Sequence, residues 1–120
     1  MTTSDPVPEI SPEQLPEAIH TYLAAHQARD IDTAVQHYTD DATVIDEGRT
    51  YQGPDQIRDW LQRSAGEYTY TITLTGAQKV DNEHYIATHH LEGNFPGGVV
   101  DLRFRFTLRD RSISRLAIEP

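Results

Sequence analysis

The second half of the chain alternates apolar and polar positions almost without a fault. In residues 68–75, YTYTITLT, Tyr68, Tyr70, Ile72 and Leu74 fall on one face and four threonines on the other. In residues 99–109 the same alternation sets Val100, Leu102, Phe104, Phe106 and Leu108 against Asp101, Arg103, Arg105, Thr107 and Arg109. A period of two marks half-buried strands. Turn signals at DNE (81–83), GNFPGG (93–98) and Asp110-Arg111 bound two more, His84–Glu92 and Ser112–Ile118. The first half has the helical period. Leu15, Ile19, Tyr22, Leu23 and His26 recur on one face. Ser11-Pro12-Glu13-Gln14 opens that helix with a serine cap, a proline in the first turn and a glutamine three residues on; Pro16 can displace the start by a turn. ARDID (28–32) breaks it, and Asp30 or Asp32 caps a second helix, Thr33–Tyr38, with Ala34, Val35 and Tyr38 inward. Ala42–Asp46 reads as a strand, and Gly53-Pro54 opens a third helix with Ile57, Trp60 and Leu61 inward. Segregated helices and antiparallel strands predict an α+β fold. Three short helices leave part of a curved sheet uncovered, so a cavity between the layers is expected.

Length and composition narrow the field. With 120 residues the chain is expected to form a single domain over 12–120, preceded by a disordered leader at 1–11. The leader carries two prolines and little apolar surface. Apolar runs are too short to span a bilayer, so no membrane partner and a cytoplasmic location are expected. Cysteine is absent, which removes disulfide and thiol chemistry. A formal net charge of −9 argues against a nucleic-acid partner. His20, His26, His37 and His84 lack metal-ligand spacing. His89 and His90 are strand neighbours and point to opposite faces, so they do not chelate one metal together. GNFPGG is a turn and not a phosphate loop. Neither a metal nor a cofactor is expected.

The chemistry concentrates at Asp46, where Thr43-Val44-Ile45 ends on a carboxylate before a glycine turn. As a turn residue Asp46 would bond its own backbone. As a base it would sit at a pocket mouth, because proton transfer to or from carbon needs a carboxylate shielded from full solvation. Such a base needs a hydrogen-bond donor facing the oxygen on which charge develops, and a phenol on an apolar helix face, Tyr22, is a candidate. Trp60 is a core residue or a pocket wall. Arg103, Arg105 and Arg109 share a face and suit cross-strand or intersubunit ion pairs.

The segments ARDIDTAVQHYTDDATVID, YQGPDQIRDWL and FRFTLRDRSISRLAIEP, in that order, resemble the nuclear-transport-factor-2-like superfamily, in its SnoaL-like and ketosteroid-isomerase-like branch. The resemblance covers about residues 12–120. It implies a cone-shaped, curved antiparallel sheet packed with three helices from the N-terminal half. YLAAHQARDIDTAVQHYTDDATVID resembles the opening of steroid Δ-isomerases without a gap, which puts Tyr22 on the tyrosine that hydrogen-bonds the substrate oxygen and Asp46 on the aspartate that moves the proton. The family's protonated aspartate on a late strand is not matched. Leu102 takes its place, and Asp101, one residue away, faces the other side unless a bulge turns it. The resemblance further implies Trp60 as a pocket wall, an inward set of Thr88, His90 and Glu92, and His90 as a second acid–base group, with Leu102 and Phe104 beside them. It also implies a homodimer built sheet to sheet.

The expected function is therefore cofactor-independent acid–base catalysis of the isomerase, cyclase or dehydratase type on a small hydrophobic, carbonyl-containing molecule. The alternative is a non-catalytic ligand-binding or dimerisation module of the same fold. Asp46 is expected to face a cavity shared with Tyr22 and Trp60, with its carboxyl pKa raised there. A solvated Asp46 beside a filled interior would favour the module.

Overall fold

Pro16 decides where the first helix begins. In the computed structural model, which describes residues 9–67 and 69–120, Gln14 Oε1 accepts from the Ser11 backbone N–H at 2.9 Å. That box closes only a 3-10 turn, Pro12–Gln14. Proline forces the preceding Leu15 into extended backbone (φ −62°, ψ 144°), and helix α1 starts afresh at Glu17, running Glu17–Ala28. Arg29, with φ 58°, ends it in the left-handed region. Asp30 caps α2, Ile31–Gln36, its side chain accepting from the Thr33 N–H. The second helix was expected to reach Tyr38. Instead Tyr38 opens strand β2, Tyr38–Asp46, because its backbone pairs with Ile113 of the final strand; tertiary pairing overrides a weak local pattern.

Strand β1, Glu9–Ile10, pairs antiparallel with Gln78 and Ala77 of β4, Tyr70–Lys79. The expected leader over 1–11 therefore gives two residues to the sheet, since Ile10 has apolar surface to lay against the core; residues 1–8 lie outside the described residues. Tyr68, the first residue of the strand expected over 68–75, lies outside them too. After β2 the chain reverses through Glu47 and Gly48, both at positive φ (52° and 75°), the backbone of a tight two-residue hairpin. The return strand β3, Arg49–Gln52, runs straight into α3, Gly53–Glu67. Strands β5 (His84–Gly93), β6 (Val99–Arg109) and β7 (Ser112–Glu119) complete one sheet in the order β1-β4-β5-β6-β7-β2-β3. Every neighbour is antiparallel except β2 on β7. Register shifts in β2, at Leu74/Gly76 in β4 and at Thr107/Leu108 in β6 bend the sheet around the three helices. The fold is α+β, as the patterning predicts.

Tyr22, Phe106, Ile19, Ile57, Ile113 and Leu116 are fully buried at the centre. One polar side chain among the described residues shares that burial, His89 on β5. Its ring packs on Phe104 with centroids 4.5 Å apart. Burial pushes the His89 imidazole pKa down to about 4, helped by the nearby His26. Burial does the same to His26, also to about 4.

Two tests follow from the packing. A Cβ on Gly93, opposite Tyr70 in the β4–β5 ladder, would stand 2.4 Å from the Thr69 carbonyl oxygen and 2.8 Å from the Tyr70 Cα. Both obstacles are backbone, so Gly93→Ala should destabilise by roughly 2–4 kcal/mol, measured by urea unfolding. The second test concerns pH. In the unfolded chain both histidines titrate near 6.5, so between pH 4 and 6.5 the unfolded chain holds more protons than the native one. Their contribution is full above about pH 6.5 and is lost as pH falls toward 4. The carboxylates of Asp30, Asp41, Asp81 and Glu119, depressed chiefly by side-chain hydrogen bonds from Thr33, Arg109, His84 and Arg105, act mainly below that window. The exposed His90 has the opposite sign, because hydrogen bonds to Asp101 and then Glu92 raise its pKa. Its support is present below about pH 6.5 and is lost as pH rises through the raised value. The melting temperature should drop between pH 6.5 and 4, and the drop should be visibly shallower in His89→Leu; an equal drop in both proteins would refute the assignment.

Candidate functional site

Alternation along β2 settles the direction of Asp46. Ala42 and Val44 are buried, and Asp46 follows in the same phase, half-buried on the inner face just before the hairpin turn. Its Oδ2 accepts from the Trp60 indole N–H at 3.0 Å. This bond ties the end of β2 to the buried face of α3, where Ile57 and Leu61 flank the indole. The Tyr51 ring of β3 is near Trp60, centroids 6.1 Å apart. Asp46 thus has a partner on a different element and a fixed orientation.

Tyr22 lies deeper. Its ring is fully buried, edge-on to Tyr38 at 5.1 Å and to Phe106 at 5.9 Å. The Tyr38 hydroxyl donates to the Tyr22 oxygen at 2.6 Å, so Tyr22 keeps its own proton to donate elsewhere. Burial pushes the Tyr22 pKa well above the usual phenol range, Tyr38 opposes this, and the Asp46 charge adds to it. Tyr38 is raised too, by burial first. Both phenols are neutral donors at any physiological pH.

A cavity of about 50 Å³ opens between α1, α2, α3 and β4, with His26, Leu61, Tyr70 and Ile72 on its inner walls and Arg29 and Asp30 toward solvent. Asp46, Tyr22 and Trp60 do not line it, so this is not the cavity expected to be shared by those three. They are connected to it through rings. His26 stands 6.0 Å from Tyr22 and 6.3 Å from Trp60, and the Asp46 charge reaches Tyr70 on the wall, whose pKa is raised mainly by burial. His26 was legible as a residue one helical turn from Tyr22, and Tyr70 as an inward position of its strand.

The expected inward set on β5 is reversed. Tyr85, Ala87, His89 and Leu91 are buried, and once that apolar phase faces the core, Thr88, His90 and Glu92 must face out. His90 lies on the outer surface, its Nδ1 2.6 Å from Asp101 Oδ1 and its Nε2 3.2 Å from Glu92 Oε1. Thr88 is opposite Gly76 and the exposed Arg103. Neither His90 nor Thr88 can serve the interior, and His89 occupies the place expected of His90. The β5–β6 ladder runs without a shift, so Asp101 stays outside and Leu102 inside, opposite His89. Phe104 is buried beside both histidines, 6.2 Å from His26. On the outer face Arg105 pairs with Glu119 across β6 and β7, and Arg109 with Asp41 at 2.6 Å, the cross-strand use expected of that row.

The interior thus offers one oriented carboxylate, neutral phenols and neutral imidazoles beside a small cavity. Comparison with known proteins bears on the fold. A Sinorhizobium meliloti protein provisionally described as a polyketide cyclase is 29% identical and superposes with a TM-score of 0.85, over 92% of this chain and 100% of that one. A Catenulispora acidiphila protein of ketosteroid-isomerase-like fold, solved with trimethylamine, is 20% identical (TM-score 0.76; 88% and 85% covered). A Mycobacterium tuberculosis protein solved with estradiol-17beta-hemisuccinate is 14% identical (TM-score 0.72; 86% and 90% covered). No curated protein sequence matches significantly. The SnoaL-like domain profile matches residues 19–116, from the start of α1 to the middle of β7, and the chain belongs to the SnoaL-like domain family.

Proposed function

We propose that this protein binds a small, mostly apolar ring compound between the helices and the sheet, against Asp46, and moves a proton on it without a cofactor, by isomerisation, cyclisation or dehydration. The observation that carries the reading is the half-buried Asp46 carboxylate, on the inner face and held by the Trp60 indole at 3.0 Å. In this reading Asp46 takes a proton from carbon next to a carbonyl, the Tyr22 O–H donates to the oxygen that becomes negative, and Tyr38 supports Tyr22 from behind. A neutral donor is the right partner for a growing oxyanion, because its bond strengthens only as the charge appears. The provisional cyclase description of the S. meliloti relative and the estradiol derivative bound to the M. tuberculosis protein support a cyclic ligand. The complete burial of Tyr22 favours a second reading, binding without turnover. Rates separate the two.

The direct test is solvent-deuterium exchange α to the carbonyl of cyclic ketones, followed by NMR with catalytic protein. Asp46→Asn should keep size and hydrogen bonding, retain ketone binding by calorimetry, and lose about two to four powers of ten in exchange rate. Tyr22→Phe should lose comparably or less, together with about 1–3 kcal/mol of stability for the abandoned Tyr38 hydroxyl. Full exchange in Asp46→Asn would return Asp46 to the role of anchoring Trp60, and binding without exchange in the wild type would select the second reading.

The same reading includes a homodimer through the outer sheet face, where threonines of β4 and paired arginines of β6 make a regular, two-sided surface. Two-fold symmetry would set like rows against each other. Sedimentation equilibrium at micromolar concentration should give twice the 13.6 kDa chain mass; a monomer there would remove the dimer.

A further inference from the structure

The cavity between α1, α2, α3 and β4 is apolar on much of its wall, at Ala25, Ala34, Leu61 and Ile72, and charged at its opening, at Arg29 and Asp30. Asp30 is engaged. Its carboxylate accepts from the Thr33 backbone N–H at 3.3 Å and from the Thr33 hydroxyl at 2.7 Å. Arg29 is not. Arg58, Arg105 and Arg109 each hold a carboxylate, whereas the Arg29 guanidinium has neither an ion pair nor a hydrogen bond among the described residues. Burial keeps the His26 imidazole on the wall neutral near pH 7, so among the described lining residues Arg29 is the one cation. Its place in the chain is unexpected for arginine. Arg29 ends α1 at φ 58°, a left-handed conformation that glycine takes without steric cost. The side chain is thus present where the fold alone would favour its absence. Tyr70 connects the opening to Asp46. Burial raises its pKa first, the Arg29 charge lowers it and the Asp46 charge raises it, so this phenol lies within the field of both opposite charges.

We propose that Arg29 binds a carboxylate of the ligand at the cavity opening, so that the substrate class is a cyclic keto acid, a ring ketone carrying a short carboxylate arm. The inference rests on the reading of Asp46 as base to a ring ketone and adds the second functional group. Charge and hydrogen-bond inventory decide it. A guanidinium carries donors only, in a planar fork that matches a carboxylate. The Tyr70 and Ser64 hydroxyls on the same wall add donors that a carboxylate accepts. An ammonium arm would meet Arg29 as a like charge. A phosphate dianion would bring two charges to one guanidinium, beside Asp30 and in a chain of formal net charge −9. The volume, about 50 Å³, exceeds the space one water-sized group needs and takes a carboxyl group with the carbon that bears it. The ring itself stays against Asp46, on the other side of Tyr70. The arm then serves the chemistry by position. It keeps the ligand's own negative charge away from the Asp46 carboxylate and directs the ketone inward, toward Tyr22.

The test compares two probes on the intact protein, a cyclohexanone bearing a carboxylate opposite the ketone and its uncharged primary amide. Trp60 is the single tryptophan and lies 6.3 Å from His26 on the cavity wall, so its emission reports binding. Wild type at low salt should prefer the acid to the amide by about fivefold, the value of one partly exposed ion pair, and the preference should narrow as salt is added. In Arg29→Gln the preference should vanish while the amide still binds, which also shows that the variant is folded. Arg29→Glu should reverse it, and Arg29→Lys should keep part of it. Arg29→Gly should lose the preference with a melting temperature unchanged or higher, a combination that a merely structural arginine would not give. On the wild type, 15N spectra should show the acid, and not the amide, shifting the Arg29 Nε resonance. Equal affinity for acid and amide, no binding of the acid, an unchanged preference in Arg29→Gln, or an unshifted Arg29 resonance would each overturn the proposal. Its failure is separable from failure of the acid–base reading. Loss of deuterium exchange in Asp46→Asn with an unaltered preference in Arg29→Gln removes the carboxylate site alone. Loss of the preference in Arg29→Gln with full exchange in Asp46→Asn removes the acid–base chemistry alone.

Discussion

The ladder between β5 and β6 runs unbroken from His84 opposite Thr107 to Glu92 opposite Val99, and its period of two leaves no choice about which side chains reach the interior. One phase delivers Ala87, His89, Leu102 and Phe104 to the core. The other delivers His90, Asp101 and Glu92 to the surface, where they pair with one another. Two adjacent histidines thereby acquire opposite electrostatic lives. His89 is held neutral by desolvation, and His90 is drawn toward its cationic form by hydrogen bonds to Asp101 and then Glu92. A slip of β6 by one residue would bury Asp101, Arg103 and Arg105 and expose Phe104 and Phe106, so the apolar phase fixes the register and the register fixes the chemistry.

Within that frame the interior is electrostatically sparse. Asp46 is the carboxylate on the inner face of β2, and the groups that meet it or feel it include an indole N–H and neutral phenols. In a weakly polar interior such groups act as oriented dipoles that do not neutralise the charge. The Tyr38–Tyr22 contact is a directed relay, in which one hydroxyl is spent on holding the other. The same sparseness explains why burial is the leading cause of the shifts at Tyr22, His26 and His89.

Much of this was legible in the chain. Alternation in residues 99–109 gave β6 its bounds and both its faces, and the resemblance carried by residues 22–46 placed Asp46 on the inner face. What was not legible came from competition between local and distant interactions. Tyr38 fits a helical pattern locally and is taken by Ile113 of β7. β3 is four residues long and depends on a hairpin whose turn residues, Glu47 and Gly48, give only a short signal. On β5 the apolar phase Tyr85, Ala87, His89, Leu91 contained the right answer, whereas the resemblance favoured its complement. His26 was read on the helix face it shares with Tyr22, and considered for metal spacing, but not as a site residue. The size of the cavity depends on how rings from four elements pack, which no spacing rule encodes.

The lone parallel pairing, β2 on β7, has a consequence for how the chain reaches its native state. Apart from β1 on β4, antiparallel neighbours here are joined by short reversals and can zip locally, but β2 is made early and its partner is the last strand in the order of synthesis. Until β7 arrives, one edge of β2 presents unpaired peptide groups, with Val44 beside them that will later be fully buried. Closure of this contact spans most of the domain and carries a large loop entropy. Asp46 lies at the far end of that seam, opposite Ile118, so the carboxylate is seated only when the most distant pairing in the sheet has formed.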